Sequence, residues 1–257
     1  MIVLNKKRIT VILMCVLMGV FTFSFQVAKL NSQEKLDKEE QLGEINNISQ
    51  INEIKETTST PVSGRTVILD AGHGVPDEGA QSSNGTTEAE TNLKIALKVQ
   101  NLLEQSGCTV ILTRSDENAI YDLDSKTLKQ KKISDIHNRV KIGNESSADI
   151  FVSIHLNKIP QQQYWGWQCF YKDGNEQSTK LAKVIQSNLN EAIQKENNRV
   201  AMKIDNIYIV KKVEIPLSIV ECGFLSNPEE EKLLLEDEYQ DKLSWGIFNG
   251  IMEYFQN

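Results

Sequence analysis

The chain has only three histidines in 257 residues, so a site built on imidazole must use nearly all of them. His73 stands in Asp70-Ala71-Gly72-His73-Gly74, and His155 in Ser153-Ile154-His155-Leu156-Asn157. Two acids sit in similar surroundings: Glu221 in Ile219-Val220-Glu221-Cys222-Gly223, and Glu88 in Thr87-Glu88-Ala89-Glu90. Two imidazoles and one carboxylate suit a catalytic zinc that keeps one position open for water. A second carboxylate, off the metal, supplies the base that takes the water's proton. The separations between these residues fit no local metal-binding pattern, so spacing alone is weak support. Each also has an ordinary reading: a satisfied structural histidine, or in Glu88 a first-turn acid favouring the helix dipole. Glu221 resists that treatment, because an acid directly after Leu-Ser-Ile-Val is costly to bury without a cation or metal. His137 falls in the helical stripe Ile133, Ile136, Val140 and is assigned no role.

The elements around these residues make their positions meaningful. Arg65 to Asp70 is a short apolar run ending in Ala-Gly-His-Gly, which reads as a buried strand and a tight loop. Leu93, Ala96, Leu97, Val99, Leu102 and Leu103 follow at helical spacing, and Gly107 closes that helix. Further strands are expected at Thr109–Thr113, Asp149–Ile154, Trp167–Tyr171, Asn206–Val210 and Leu217–Val220, with helices at 133–146, 180–195 and 238–255. Helices interleaved with apolar strands imply an α/β domain with a mostly parallel twisted sheet and helices on both faces. Chemistry in such sheets sits at the carboxyl ends of the strands. His73, His155 and Glu221 all fall there, and Glu88 opens the helix reached by the loop from His73.

Composition narrows the function classes. The 28 Lys+Arg against 35 Asp+Glu give a charge of -7, which argues against a nucleic-acid binder. Four cysteines without a C-x-x-C pair exclude a disulfide scaffold and a cysteine zinc knuckle; they read as buried small hydrophobes. Lys6, Lys7 and Arg8 precede the uncharged apolar run Ile9–Phe25. Residues 1–30 therefore read as a retained signal anchor, or a cleaved signal, that leaves the rest outside the cytoplasm. Residues 31–60 are a polar linker carrying one stripe, Leu42, Ile45, Ile48, Ile51 and Ile54, and 61–257 form the catalytic domain.

Five stretches then carry a family resemblance: Leu69-Asp-Ala-Gly-His-Gly74, Glu88 with Asn92-Leu93, Leu112-Thr-Arg114, Ala148-Asp-Ile-Phe-Val-Ser-Ile-His-Leu-Asn157, and Val220-Glu-Cys-Gly-Phe-Leu-Ser-Asn227. In this order and over nearly the whole domain, they resemble the zinc-dependent N-acetylmuramoyl-L-alanine amidases (amidase type 3). The resemblance implies one zinc ion on His73, Glu88 and His155, with Glu221 as catalytic acid and base. Thr87-Glu88-Ala89-Glu90 departs from the family's Glu-Lys-Asp pattern, and the Asn-Leu that follows sets the register on Glu88 rather than Glu90. Asn157 and Arg139 are expected to bind substrate. Within the family, Ile120-Tyr-Asp122, the basic stretch 129–135 and the single anchor resemble the germination-specific, spore-cortex branch. That implies removal of stem peptides from peptidoglycan ahead of muramic-lactam formation, at the forespore–cortex interface. Two alternatives share the features: a zinc peptidase cutting within the stem peptide, and a non-catalytic wall-binding protein. The connection Lys158–Trp165 holds Pro160 and is too short for a helix that plugs the site. Control is expected from a partner protein that promotes zinc loading by ordering the loop Val75–Thr87.

Overall fold

Runs of β-branched and amphipathic sequence fold as strands and helices that largely alternate along the chain. The computed structural model describes residues 62–256. The expected anchor at 1–30, the linker at 31–60 and its apolar stripe lie outside the described residues. Among the described residues, no helix is long and apolar enough to cross a membrane. In chain order the elements are β1 (Thr66–Ala71), α1 (Glu88–Gln105), β2 (Thr109–Leu112), α2 (Leu128–Glu145), β3 (Ile150–Asn157) and β4 (Gln168–Lys172). They continue with α3 (Glu176–Ile193), β5 (Met202–Ile204), α4 (Tyr208–Lys212), β6 (Leu217–Phe224), α5 (Pro228–Leu235) and α6 (Asp237–Gln256).

The strands form one sheet in the order β2-β1-β3-β6-β4-β5. β2, β1, β3 and β6 run parallel, but β4 is antiparallel to β6 and β5 follows β4. Four of the five strand pairings are parallel, as expected of a mostly parallel sheet, and the one antiparallel pairing, β4 with β6, makes it mixed. The cause is the segment 158–167, which joins β3 to β4 without a helix; a parallel return needs a crossover of a dozen or more residues, so β4 must run back.

Pleating divides the core in two. One face sets Val67, Leu69, Val152, Ile154, Val220 and Cys222 against Ile95 and Val99 of α1, Leu181 and Ile185 of α3, and Leu243 and Ile247 of α6. The other sets Ile68, Phe151, Leu217 and Ile219 against Val140 of α2 and Ile209 and Val210 of α4. On this second face the register aligns His155 with Glu221 and Glu221 with Gln168. Cys222, one residue on, points into the first core, and Cys108, Cys169 and Cys222 are all free and buried.

Three expectations shift. α2 starts at Leu128 rather than 133, because Thr127 and Gln130 form a capping box. α3 starts at Glu176, capped by Asn175. The strand expected at Asn206–Val210 is instead β5 upstream and a short helix, α4. There Ile209, Val210 and Val213 reach the second core, while the amides of Lys211 and Val213 donate to the carbonyls of Ile207 and Ile209. A four-residue apolar run is compatible with either period. As expected, no helix forms between Lys158 and Trp165.

Candidate active site

β1 ends in a turn that presents His73 from the left-handed region, at φ 62°, a conformation uncommon for a residue with a side chain. Buried donors hold this turn in place. Asn92 Nδ2 and Arg114 Nη2 each donate to the Gly72 carbonyl at 3.1 Å, and Arg139 Nη2 donates to the His73 carbonyl at 2.6 Å. Glu88 is the first residue of α1, after the cap Thr87. It is buried, and each oxygen has a backbone donor: Leu156 N at 3.1 Å on Oε1 and Ala80 N at 2.8 Å on Oε2. His155 Nδ1 lies 2.9 Å from Oε1, and His73 Nε2 3.4 Å from Oε2. Glu90, by contrast, is exposed and paired with Lys94 at 2.7 Å.

Ligand atoms of His73, Glu88 and His155 all lie within 4.8 Å of one another. A tetrahedral zinc with bonds of about 2.0 Å sets its ligand atoms about 3.3 Å apart, and the 2.9 and 3.4 Å separations from Glu88 to the two histidines lie on either side of that value. Space for the group is kept by missing side chains. A Cβ at Gly72 would collide with the His155 ring, and one at Gly79 would fall 2.6 Å from Glu88 Oε2 and 2.7 Å from the His73 ring. Two nitrogens and an oxygen suit a borderline ion such as zinc. The residues present therefore fit a zinc ion.

Glu221 stands beside His155 across the β3–β6 ladder, and its Oε2 is buried without a hydrogen-bond partner. Burial, only partly offset by His155 and reinforced by Glu88, pushes its pKa up to about 7. Glu88 goes the other way, to about 2: burial opposes its charge, but the hydrogen bond and charge of His155, then His73 and the Ala80 amide, outweigh it. Two neighbouring carboxyls are thus pushed apart in acidity, a pattern of divided roles. Both histidines and Glu221 line a cavity of about 150 Å³ that also includes Ile207, Ile209 and Lys132.

Behind the ligands lies a layer that sequence reading missed. Asp77 Oδ2 sits 3.4 Å from His73 Nδ1, and Asp77 Oδ1 2.8 Å from Lys132 Nζ. A carboxylate on the far nitrogen is how metal-bound histidines are oriented; an acid four residues on, in a loop, gives no periodic signal of that role. Arg139, expected to bind substrate, is buried and directed at protein acceptors. It pairs with Asp70 and Asp135 and donates to the carbonyls of Ala71 and His73. Asn157 ends β3 beside a register shift, its carbonyl accepting from Leu225 N at 2.8 Å.

Comparison with known proteins identifies the family. Along the sequence, the germination-specific N-acetylmuramoyl-L-alanine amidase of Bacillus subtilis is 39% identical over 197 residues, covering 77% of this chain and 82% of that protein. The CwlD amidase of Clostridioides difficile, in complex with the GerS lipoprotein, superposes with a TM-score of 0.73 and 44% identity over 75% of this chain and 99% of that one. An N-acetylmuramoyl-L-alanine amidase of Clostridium difficile 630 gives a TM-score of 0.66 and 30% identity, over 76% and 98%. A family model described as N-acetylmuramoyl-L-alanine amidase matches residues 67–253, and the chain belongs to that family.

Proposed function

We propose that the chain hydrolyses the amide joining N-acetylmuramic acid to L-alanine in spore-cortex peptidoglycan, using a zinc ion on His73, Glu88 and His155. The observation that carries the site is Glu221: a buried carboxyl with an unpartnered oxygen, in register with His155 and within the same cavity as His73. A zinc ion in this donor set supplies Lewis acidity, polarising an amide carbonyl and lowering the pKa of water to roughly 7. Glu221 accepts the proton of the attacking water and returns it to the leaving amine of L-alanine. His155 and Glu88 brace one another, and Asp77 holds the His73 ring from behind. Arg139 serves the site from beneath by fixing the His73 turn, while Asn157, the last residue of β3, contacts the glycan in this reading.

The similar Bacillus subtilis enzyme is named as germination-specific, which supports the spore cortex as the place of action. That location lies outside the cytoplasm, with residues 1–30 as the tether. The similar Clostridioides difficile amidase is seen with a lipoprotein, which supports a protein partner that activates this chain. The test is digestion of cortex peptidoglycan with and without zinc, followed by mass analysis. The expected product is a peptide with a free L-alanine amino terminus and intact glycan. A cut inside the stem peptide would assign a peptidase instead, and no cut by protein shown to carry zinc a wall-binding protein.

A further inference from the structure

Glu88 reaches the metal site from the far side of a polar loop, 79–87, and the structure shows what holds that loop. Only Ala80 in it packs against the apolar core. At its base Ala80 N donates to Glu88 Oε2 and Glu88 N donates to the Ala80 carbonyl, both at 2.8 Å. At its tip Ser82 Oγ accepts from the amides of Asn84 and Thr86 at 3.1 and 3.0 Å. The tip is then clamped from α5. The Glu231 carboxylate, 2% exposed, accepts from Ser82 Oγ, from Asn84 Nδ2 at 2.8 Å and from Thr86 Oγ1 at 2.8 Å. Burying a carboxylate is costly unless its lone pairs are met, and here they are met by loop donors.

We propose that Glu231 is a positioning residue that sets the metal affinity of the site by latching the 79–87 loop, and with it Glu88, into the ligating arrangement. The inference rests on the zinc reading above. Ordering a residue costs about 1–2 kcal/mol, and this loop has little apolar burial to offset it. Affinity for a ligand falls with the fraction of molecules in the competent state. Without the latch, that fraction drops while the sheet stays formed, because the bonds of the Glu231 carboxylate run to the loop tip and not to the strands. Loss of a residue that orients metal ligands typically weakens the metal by about 10–100-fold.

The experiment measures zinc affinity of the stripped full chain by competition with a chromophoric chelator, alongside amide hydrogen exchange. The variants are Glu231→Gln, the loop-side triple Ser82→Ala/Asn84→Ala/Thr86→Val, and Glu229→Gln. Glu229 is exposed on the same helix and pairs with Lys232, so it is the control. Expected is zinc bound about 10–100-fold more weakly by the first two variants, faster exchange at 80–88 alone, and no change in the control. Combining the first two should add little, since each breaks the same bonds. A folded Glu231→Gln protein with wild-type zinc affinity overturns the latch. Should that variant fail to fold, the triple decides by the same measure, and loss of fold in both would assign Glu231 to global stability and overturn the latch as well. Absence of zinc binding in the wild type would instead sink the zinc reading, and the latch with it.

Discussion

Glu221 has been taken out of water without a donor for Oε2, a state whose cost makes sense where the group must hold and release a proton near neutrality. Glu221→Gln keeps size and polarity but cannot accept that proton. Expected is a fall in turnover of about 10² to 10⁴ with zinc stoichiometry unchanged, read by hydrolysis rate and metal analysis on the same preparation; wild-type turnover would remove Glu221 from the mechanism. Gly79 makes the complementary point with no side chain. At φ 71° and with a Cβ 2.6 Å from Glu88 Oε2, Gly79→Ala should lose metal while the far-ultraviolet circular dichroism stays native. Full zinc occupancy in that variant would show the ligands to have slack that the structure does not. Cys222 occupies the opposite face from Glu221, so Cys222→Ala should lower stability and leave zinc bound.

At the scale of elements, α2 is tied to the end of β1 by one buried guanidinium. Arg139 meets Asp70, Asp135 and the carbonyls of Ala71 and His73. Asp70 in turn accepts from Thr113 of the segment after β2 at 2.7 Å and from Ser153 of β3 at 2.6 Å. Burial opposes the charge on Asp70, but Arg139, His155 and these hydroxyls hold its pKa below the usual carboxylate value. Truncating one partner leaves the other charged and buried. Arg139→Ala should therefore cost about 3–5 kcal/mol in denaturant unfolding, and restoring neutrality with Asp70→Asn should recover part of it. If Arg139→Ala unfolds at the wild-type midpoint yet binds substrate poorly, the guanidinium serves substrate rather than the turn.

Across the whole molecule, stability is linked to pH through Glu230. Its carboxyl accepts from Gly166 N and Phe224 N, each at 2.8 Å, joining the segment before β4 to the end of β6. Burial outweighs these amides and the more distant Lys195 and Arg199, pushing its pKa up to about 7 from an ordinary 4.5. The folded state thus holds this proton more tightly than the unfolded chain. Its contribution to stability is fully present below about 4.5 and is lost as pH rises through about 7. Between those limits the wild type should lose on the order of 2 kcal/mol more than Glu230→Gln, measured by unfolding at fixed zinc. Parallel curves for the two proteins would show the carboxyl to titrate alike in the folded and unfolded states. Zinc itself is expected to raise the melting temperature, since a ligand at 100 times its Kd stabilises by about 2.7 kcal/mol.

Much of this was written locally in the chain. Alternation and glycine punctuation act over a few residues, so they bring His73 just past β1 and His155 and Glu221 close to the carboxyl ends of their strands, although β3 and β6 run on to Asn157 and Phe224 and hold both residues inside them. The choice of Glu88 over Glu90 came from the family resemblance. Two faces of helices follow from amphipathic spacing alone. The reversal of β4 and the helix at Tyr208–Lys212 were decided by tertiary structure, since a short apolar run takes whichever period buries it. The supports of the site are likewise invisible in one dimension. Arg139 reads as a helix-surface cation until Asp70, 69 residues away, meets it. Glu231 reads as one of three first-turn acids of α5 until a loop 149 residues earlier in the chain closes on it. Periodicity records which way a side chain points, whereas the partner it meets depends on how separate elements pack, and a buried charge takes its role from that partner.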